Sequence, residues 1–335
     1  MRISVYFDGF AAVAEMLQAA AAAERAGASA LWFAQHMGYR DAFVVAATAA
    51  GVTRRVELVP TAISIYSWPP LQTAMSIASL EDAAPGRAAL AIAVGNMLNL
   101  AESGFEPVKP LRVMREYMQA LRALLDGQPV HLDGVTSKLR GAHLTFRTSR
   151  TIPIMVASTG PEMLQLGGEI GDGVVLSTGL TIESTRRCLA DVAIGAQRRG
   201  GLPTTFRKTG FINLAVSEDG TTARAAVLRK LAHLFRSKNH AENIKSSGFD
   251  IDHDAIMEAN ARHDLDAATA LLPDAAASAF ACAGTPQQCH DRLQEYLSIG
   301  LDEAVIEISG DADGRRLALD VIRDLTVRQS GSHRY

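Results

Sequence analysis

Residues 152–179, IPIMVASTGPEMLQLGGEIGDGVVLSTG, hold a strand, a tight turn, a helix and a second strand within 28 residues. Ile152 to Ala157 is a short apolar run, too short for a helix of its own and suited to a strand covered on both faces. Ser158-Thr159-Gly160-Pro161 stops that strand and starts a helix. Pro161 fits the first helical position, where its missing N–H costs nothing, and Glu162 places a negative charge at the positive end of the helix dipole. Met163, Leu166, Gly167 and Ile170 then fall on one helical face. Gly171-Asp172-Gly173 ends the helix, Val174-Val175-Leu176 forms the second strand, and Ser177-Thr178-Gly179 follows it. Two consecutive buried strands, each ending in a small polar turn with glycine, put backbone amides on one rim, an arrangement suited to a phosphate-bearing cofactor.

Outward from this stretch the same unit repeats. Strand-like runs begin near residues 3, 30, 57, 90, 153, 174, 209 and 305, and nearly all are followed by a helical pattern. Such alternation implies parallel strands with right-handed crossovers. Eight units at this chain length predict an α/β fold of the TIM (β/α)8 barrel type with insertions, ahead of an open doubly wound sheet. No G-x-G-x-x-G follows the first strand, which weakens a dinucleotide-binding reading. The chain reads as a single domain over 1–335 with two departures. A hairpin-like excursion occupies 129–147, and an inserted helical segment, acidic, histidine-rich and alanine-rich by turns, occupies 236–281. The repeat returns at Thr285-Pro286-Gln287-Gln288, a capping-box helix start.

The 335 residues are 48% hydrophobic and 21% charged, with a formal net charge of −3. This is an ordinary globular balance without the basic excess of nucleic-acid binders. Three cysteines (Cys188, Cys282, Cys289) without C-x-x-C spacing fit buried apolar positions in a reducing, cytoplasmic setting. Met1-Arg2 leads straight into a strand-like run, which fits no secretory leader, and no apolar run approaches a membrane span.

In a barrel the C-terminal ends of the strands line the active site. The sequence places there Tyr6, Gln35, His36, the stretch Thr61 to Tyr66, Gly95, Asn96, and the two Ser-Thr-Gly turns. The set has one imidazole, several hydroxyls and amides, and no acidic pair, so it suits a planar hydrogen-bonding cofactor better than hydrolysis by paired carboxylates. His36 could donate to a ring oxygen or pass a proton, or be satisfied by backbone. Asn96 could bond a ring carbonyl or simply turn its loop. Tyr66 and Trp68 fit loop packing as well as a pocket wall. No histidine spacing resembles a zinc site, so no metal is expected.

Four stretches carry a resemblance: ELVPTAISIYSWPPLQTAMSIASLEDAAPGRAALAIAVGN (57–96), VKPLRVMREYMQALRALLDGQ (108–128), IPIMVASTGPEMLQLGGEIGDGVVLS (152–177) and GTPQQCHDRLQEYLSIGLDEAVI (284–306). The chain resembles the bacterial luciferase-like superfamily of TIM-barrel oxidoreductases, within it the deazaflavin branch, and especially methylenetetrahydromethanopterin reductases. The resemblance implies coenzyme F-420, an 8-hydroxy-5-deazaflavin, as cofactor, with FMN as the alternative. It implies a non-prolyl cis peptide at Thr61-Ala62 against the cofactor ring, with Tyr6 and Ile63 beside it and His36 and Asn96 as the catalytic polar groups. Ser158, Thr159 and Gly160, together with Ser177, Thr178 and Gly179, would hold the phosphate through backbone amides. Segments 129–147 and 236–281 would flank a small-molecule substrate, and the assembly would be a homodimer or homotetramer with no nucleic-acid or membrane partner. The chain departs from the reductases at three places, with Tyr6 for a glutamate and Gln35 and Asn96 for aspartates, so the pterin substrate is not carried over. The implied activity is hydride transfer between the deazaflavin and a small organic substrate. An FMN-dependent monooxygenase and a non-catalytic cofactor-binding barrel are the alternatives.

Overall fold

The computed structural model describes residues 2–331. They form two compact units. The larger comprises Ser4–Val175 and Asp191–Arg207. The smaller gathers Arg2 and Ile3, Leu176–Ala190 and residues 208–331.

The larger unit begins with β1 (Arg2–Phe7), α1 (Val13–Arg25), β2 (Ala30–Ala34), α2 (Ala42–Val52), β3 (Glu57–Thr61) and the two-residue β4 (Ile63–Ser64). It continues through α3 (Pro70–Ala83), β5 (Leu90–Ala93), α4 (Met97–Glu102) and α5 (Pro110–Leu125). The excursion is an antiparallel hairpin of β6 (Val130–Asp133) and β7 (Lys138–Ala142). Then come β8 (Ile154–Ala157), α6 (Pro161–Ile170) and β9 (Gly173–Leu176). Two parallel series form, one with Leu31 between Val5 and Leu58, the other with Ile92 between Ile63 and Val156, and Val156 opposite Val174. A bridge between Leu58 and Ala88 joins the two series. Strand residues such as Leu31, Leu58, Ile92 and Val156 are completely buried, as expected for parallel strands covered on both faces.

Helices lie on these strands through faces that the sequence periodicity marks. In α5, Met114, Met118, Leu121 and Leu125 are all buried. The packing of α6 on α7 (Ile182–Arg198) is close enough to require glycine. A Cβ at Gly168 would lie 2.3 Å from the Val192 carbonyl oxygen, and one at Gly195 would lie 1.8 Å from that of Gln165. The start of β5 is held by Glu81, 1% exposed, whose carboxylate accepts from the N–H groups of Gly86 and Ala88, the Ser149 hydroxyl and the Arg150 guanidinium. A buried carboxylate is tolerable only when its lone pairs are met in this way.

The smaller unit is built on β10 (Arg207–Val216), which pairs in parallel with β11 (Cys282–Gly284) and β12 (Glu303–Ser309). Between β10 and β11 run α8 (Thr221–Leu234), α9 (Ala241–Lys245), α10 (His253–Ala261), α11 (Leu265–Ala270) and α12 (Ala276–Ala279). These helices share a core of their own around Phe235, Phe280, Leu231, Val227 and Ile256. α13 (Pro286–Ser298) and α14 (Ala312–Gly331) complete the unit. Thr285 and Gln288 form the reciprocal capping box that starts α13.

The eight strands read from the sequence are all present. Three elements are additional, among them the two-residue β4. The polar loop before Pro110 contains α4, which is too short to show a periodicity. β11 is only three residues long and merges with the helix start that follows it.

Candidate functional site

In the larger unit β1 and β2 run side by side, with Tyr6 opposite Trp32. This pairing brings the Tyr6 hydroxyl 3.2 Å from His36 Nε2, just past the end of β2. The tautomer decides which atom donates. Phe10 and Tyr39 stand around the imidazole, with ring centroids 5.5 and 6.4 Å from it. A neutral hydroxyl is therefore among the partners of the His36 ring. Gln35, the residue before it, is otherwise engaged. Its Oε1 accepts from the Ala42 N–H at 2.7 Å, while Asp41 accepts from Val44, and together they satisfy two of the free donors that begin α2.

At the end of β3 the Thr61–Ala62 peptide is cis. The Thr61 carbonyl accepts from the Gln35 N–H at 2.6 Å, and its buried hydroxyl has no partner among the described residues. Ile63 begins β4 and is fully buried beside Ile92. Asn96 is the N-cap of α4, and its Oδ1 accepts from the N–H groups of Leu98 and Asn99. Only its amide NH2 remains to donate to a ligand carbonyl. Tyr66 donates to the Val108 carbonyl and Trp68 packs on Phe43, so both serve the loop.

Of the residues assigned to phosphate, Ser158, Thr159 and Gly160 belong to the larger unit, and Ser177, Thr178 and Gly179 to the smaller. In the first turn the Ser158 hydroxyl accepts from the Gly160 N–H at 3.1 Å, and the N–H of Thr159 has no protein partner among the described residues. Gly160 is the N-cap of α6, at φ −77°. In the second turn the N–H groups of Thr178, Gly179 and Leu180 have no protein partner among the described residues, and the Thr178 hydroxyl is a buried atom without one. Consecutive unpartnered N–H groups and a hydroxyl form a donor set that fits an anion such as phosphate. The back of this turn is occupied. Asn243 Nδ2 donates to the Gly179 carbonyl at 2.7 Å, and the Tyr296 hydroxyl donates to that of Leu180 at 2.7 Å.

Sequence reasoning missed Asn243 and Tyr296, and nothing local marks them, because their partners lie 64 and 116 positions away. It also missed Asn213, completely buried in β10, whose amide atoms have no partner among the described residues. Asn213 stands in register with Glu307 on β12, which is paired with Lys230 of α8.

Two cavities lie apart from these residues. One, of about 330 Å³, is lined by Arg112, Arg115, Arg198, Glu162 and Gln165 on α5, α6 and α7. Its arginines are already paired, Arg115 bidentately with Glu169 and Arg112 with Glu116, and the Arg115 guanidinium lowers the pKa of Glu169. The other, of about 110 Å³, lies where β10 and β12 end and is lined by Ser217, Glu218, Asp311 and Asp313, an acidic surface unsuited to phosphate. Among the described residues no three His, Cys, Asp or Glu side chains are grouped to hold a metal, and no helix is long and apolar enough to cross a membrane.

The chain is similar along most of its length to known proteins. It is 26% identical over 287 residues to 5,10-methylenetetrahydromethanopterin reductase of Archaeoglobus fulgidus, covering 84% of this chain and 86% of that one. It is 28% identical over 306 residues to the F420-dependent glucose-6-phosphate dehydrogenase of Nocardia farcinica, covering 88% and 85%. The solved coenzyme F420 dependent tetrahydromethanopterin reductase of Methanopyrus kandleri superposes with a TM-score of 0.88 at 21% identity, covering 98% and 99%. That likeness shows a shared fold, and the eight parallel strand–helix repeats place it in the TIM-barrel class. The family model for luciferase-like monooxygenases matches residues 4–303, and the chain belongs to that family.

Proposed function

We propose that the protein is an oxidoreductase that moves a hydride between coenzyme F420 and a small organic substrate. One observation carries this reading: the Nocardia dehydrogenase and the Methanopyrus reductase act on unlike substrates and share this coenzyme in their names. The residues present fit such a group, because Thr61 and Thr178 each hold a buried hydroxyl with no protein partner. When bound, the deazaflavin supplies a carbon that gives or takes a hydride. The chain's own residues then bind and orient. In this reading Tyr6, Thr61, Ala62 and Ile63 bear on the ring, and Asn96 offers its NH2 to a ring carbonyl. His36, held by the Tyr6 hydroxyl, donates to a polar atom or holds a proton there. In the smaller unit Thr178 and Gly179 offer backbone N–H groups to phosphate, with Ser177 shaping that turn; in the larger unit Thr159 offers its N–H to an anion, with Ser158 and Gly160 shaping its turn. No carboxylate stands at the positions of Tyr6, Gln35 and Asn96, so the substrate need not be the pterin of the reductases.

The family also supports a second reading, an FMN-dependent monooxygenase. Titrating the protein with F420 and with FMN, followed by oxygen uptake with each reduced cofactor, separates the two. Tight F420 binding and no oxygen uptake are expected. Tight binding of reduced FMN with oxygen consumption would overturn the primary reading. A homodimer or homotetramer in a cytoplasmic setting completes the proposal, and native mass measurement tests the assembly.

A further inference from the structure

We infer that Asn243 is a positioning residue for phosphate recognition, and that the inserted helical segment holds the Ser177–Gly179 turn in shape; this rests on the proposed reading of that turn. Asn243 lies on α9, is 6% exposed, and uses both ends of its amide on one stretch of backbone. Nδ2 donates to the Gly179 carbonyl at 2.7 Å, and Oδ1 accepts from the Thr181 N–H at 3.3 Å. The Tyr296 hydroxyl takes the intervening Leu180 carbonyl. A second tie runs from Arg187 on α7 to the Ser246 hydroxyl, the C-cap of α9.

The geometry gives this clamp a consequence beyond cohesion. A trans peptide is planar, so the carbonyl of one residue and the N–H of the next point in opposite directions. Fixing the Gly179 carbonyl on Asn243 therefore aims the Leu180 N–H away from the insertion. That N–H, with those of Thr178 and Gly179, is the unpartnered donor run. Gly179 is also packed tightly by α8, outside the insertion, since Leu234 fills the space where its Cβ would stand, 2.5 Å away. The segment thus orients backbone donors from behind, without itself touching the anion.

The test compares three variants by their affinity for F420 and for the same deazaflavin lacking its phosphate, read by fluorescence. Asn243→Ala is expected to weaken F420 binding at least tenfold and leave the phosphate-free ligand within twofold, which erases the preference for phosphate. Asn260→Ala is the structural control. Asn260 of the insertion also donates two half-buried hydrogen bonds, to the Ala232 carbonyl of α8 and the Ile256 carbonyl of α10, yet it makes none to the turn. It should lower the melting temperature and keep the preference. Thr178→Val removes the unpartnered hydroxyl and should also reduce the preference. If Thr178→Val reduces it and Asn243→Ala does not, the positioning role is wrong and the site reading stands. Equal weakening of both ligands by Asn243→Ala likewise overturns the positioning role. If wild type shows no preference for the phosphorylated ligand, both the inference and the proposed phosphate turn fail.

Discussion

Ser158-Thr159-Gly160 and Ser177-Thr178-Gly179 are the same tripeptide, and each follows a buried parallel strand, but they are held by different forces. The first is self-contained. Its serine hydroxyl accepts from the glycine N–H two residues on, its glycine has an ordinary negative φ, and a Cβ there would meet only the Ser158 hydroxyl at 3.8 Å. The second is held by tertiary structure. Gly179 has φ +74°, is buried under Leu234, and has its carbonyl fixed by a side chain 64 positions away. Short-range hydrogen bonding sets one shape; a hydrogen bond from the insertion, with packing from α8, imposes the other. The second turn should therefore fail with the insertion, while the first should not.

Acid is the largest lever on this difference. His240 is the N-cap of α9, three residues from Asn243, and is 7% exposed. Burial, then the neighbouring charges of His253 and Arg236, push its pKa down to about 4. A histidine kept neutral in the fold binds fewer protons than the unfolded chain once the pH drops below about 6.5. Its contribution is complete above that value and is lost as pH falls toward 4, by up to about 3 kcal/mol. Denaturant midpoints of wild type and His240→Gln, measured from pH 7 to 4.5, should converge as the pH falls. A wild-type curve no steeper than the variant's would break the argument. Hydrogen exchange should rise at residues 178–181 before it rises at 158–160.

Matched substitutions come next. Gly179→Ala places a Cβ against Leu234 at positive φ, and about 2 kcal/mol of stability should be lost, combining backbone strain with overpacking. Urea denaturation reads this directly. Tyr296→Phe leaves the Leu180 carbonyl buried without its donor and should cost about 1–2 kcal/mol. It has no counterpart at the first turn. A loss below about 0.5 kcal/mol in both variants would mean the second turn keeps its shape without this support.

The contrast also marks how far the sequence could be read. The eight strand–helix repeats were legible because each is a run of buried apolar residues with a periodic helix after it, and the α13 capping box was legible because all its partners lie within four residues. The two turns looked alike because a tripeptide carries no record of what packs behind it. Asn243 sits in a segment without a clear repeat pattern, and its role depends on which distant backbone it meets. Asn96 and Gln35 looked like site groups by position. In the fold the carbonyl oxygen of each side chain serves a helix start, Asn96 at α4 and Gln35 at α2. Asn96 standing before Met97-Leu98 was a local signal that would have shown the cap.

The smallest effects are expected at the first turn, and their smallness is the test. Gly160→Ala meets no atom closer than 3.8 Å and keeps an allowed φ, so stability should change by no more than about 0.5 kcal/mol, against about 2 for the same change at Gly179. Ser158→Ala removes the hydroxyl that accepts from Gly160 and should cost about 0.5–1 kcal/mol, because that N–H lies near the surface, where water can replace the lost partner. If Gly160→Ala proved as costly as Gly179→Ala, the first turn would also depend on support from outside its own residues. If both glycines tolerated alanine, the positive φ and the packing against Leu234 would not be what sets the second turn apart.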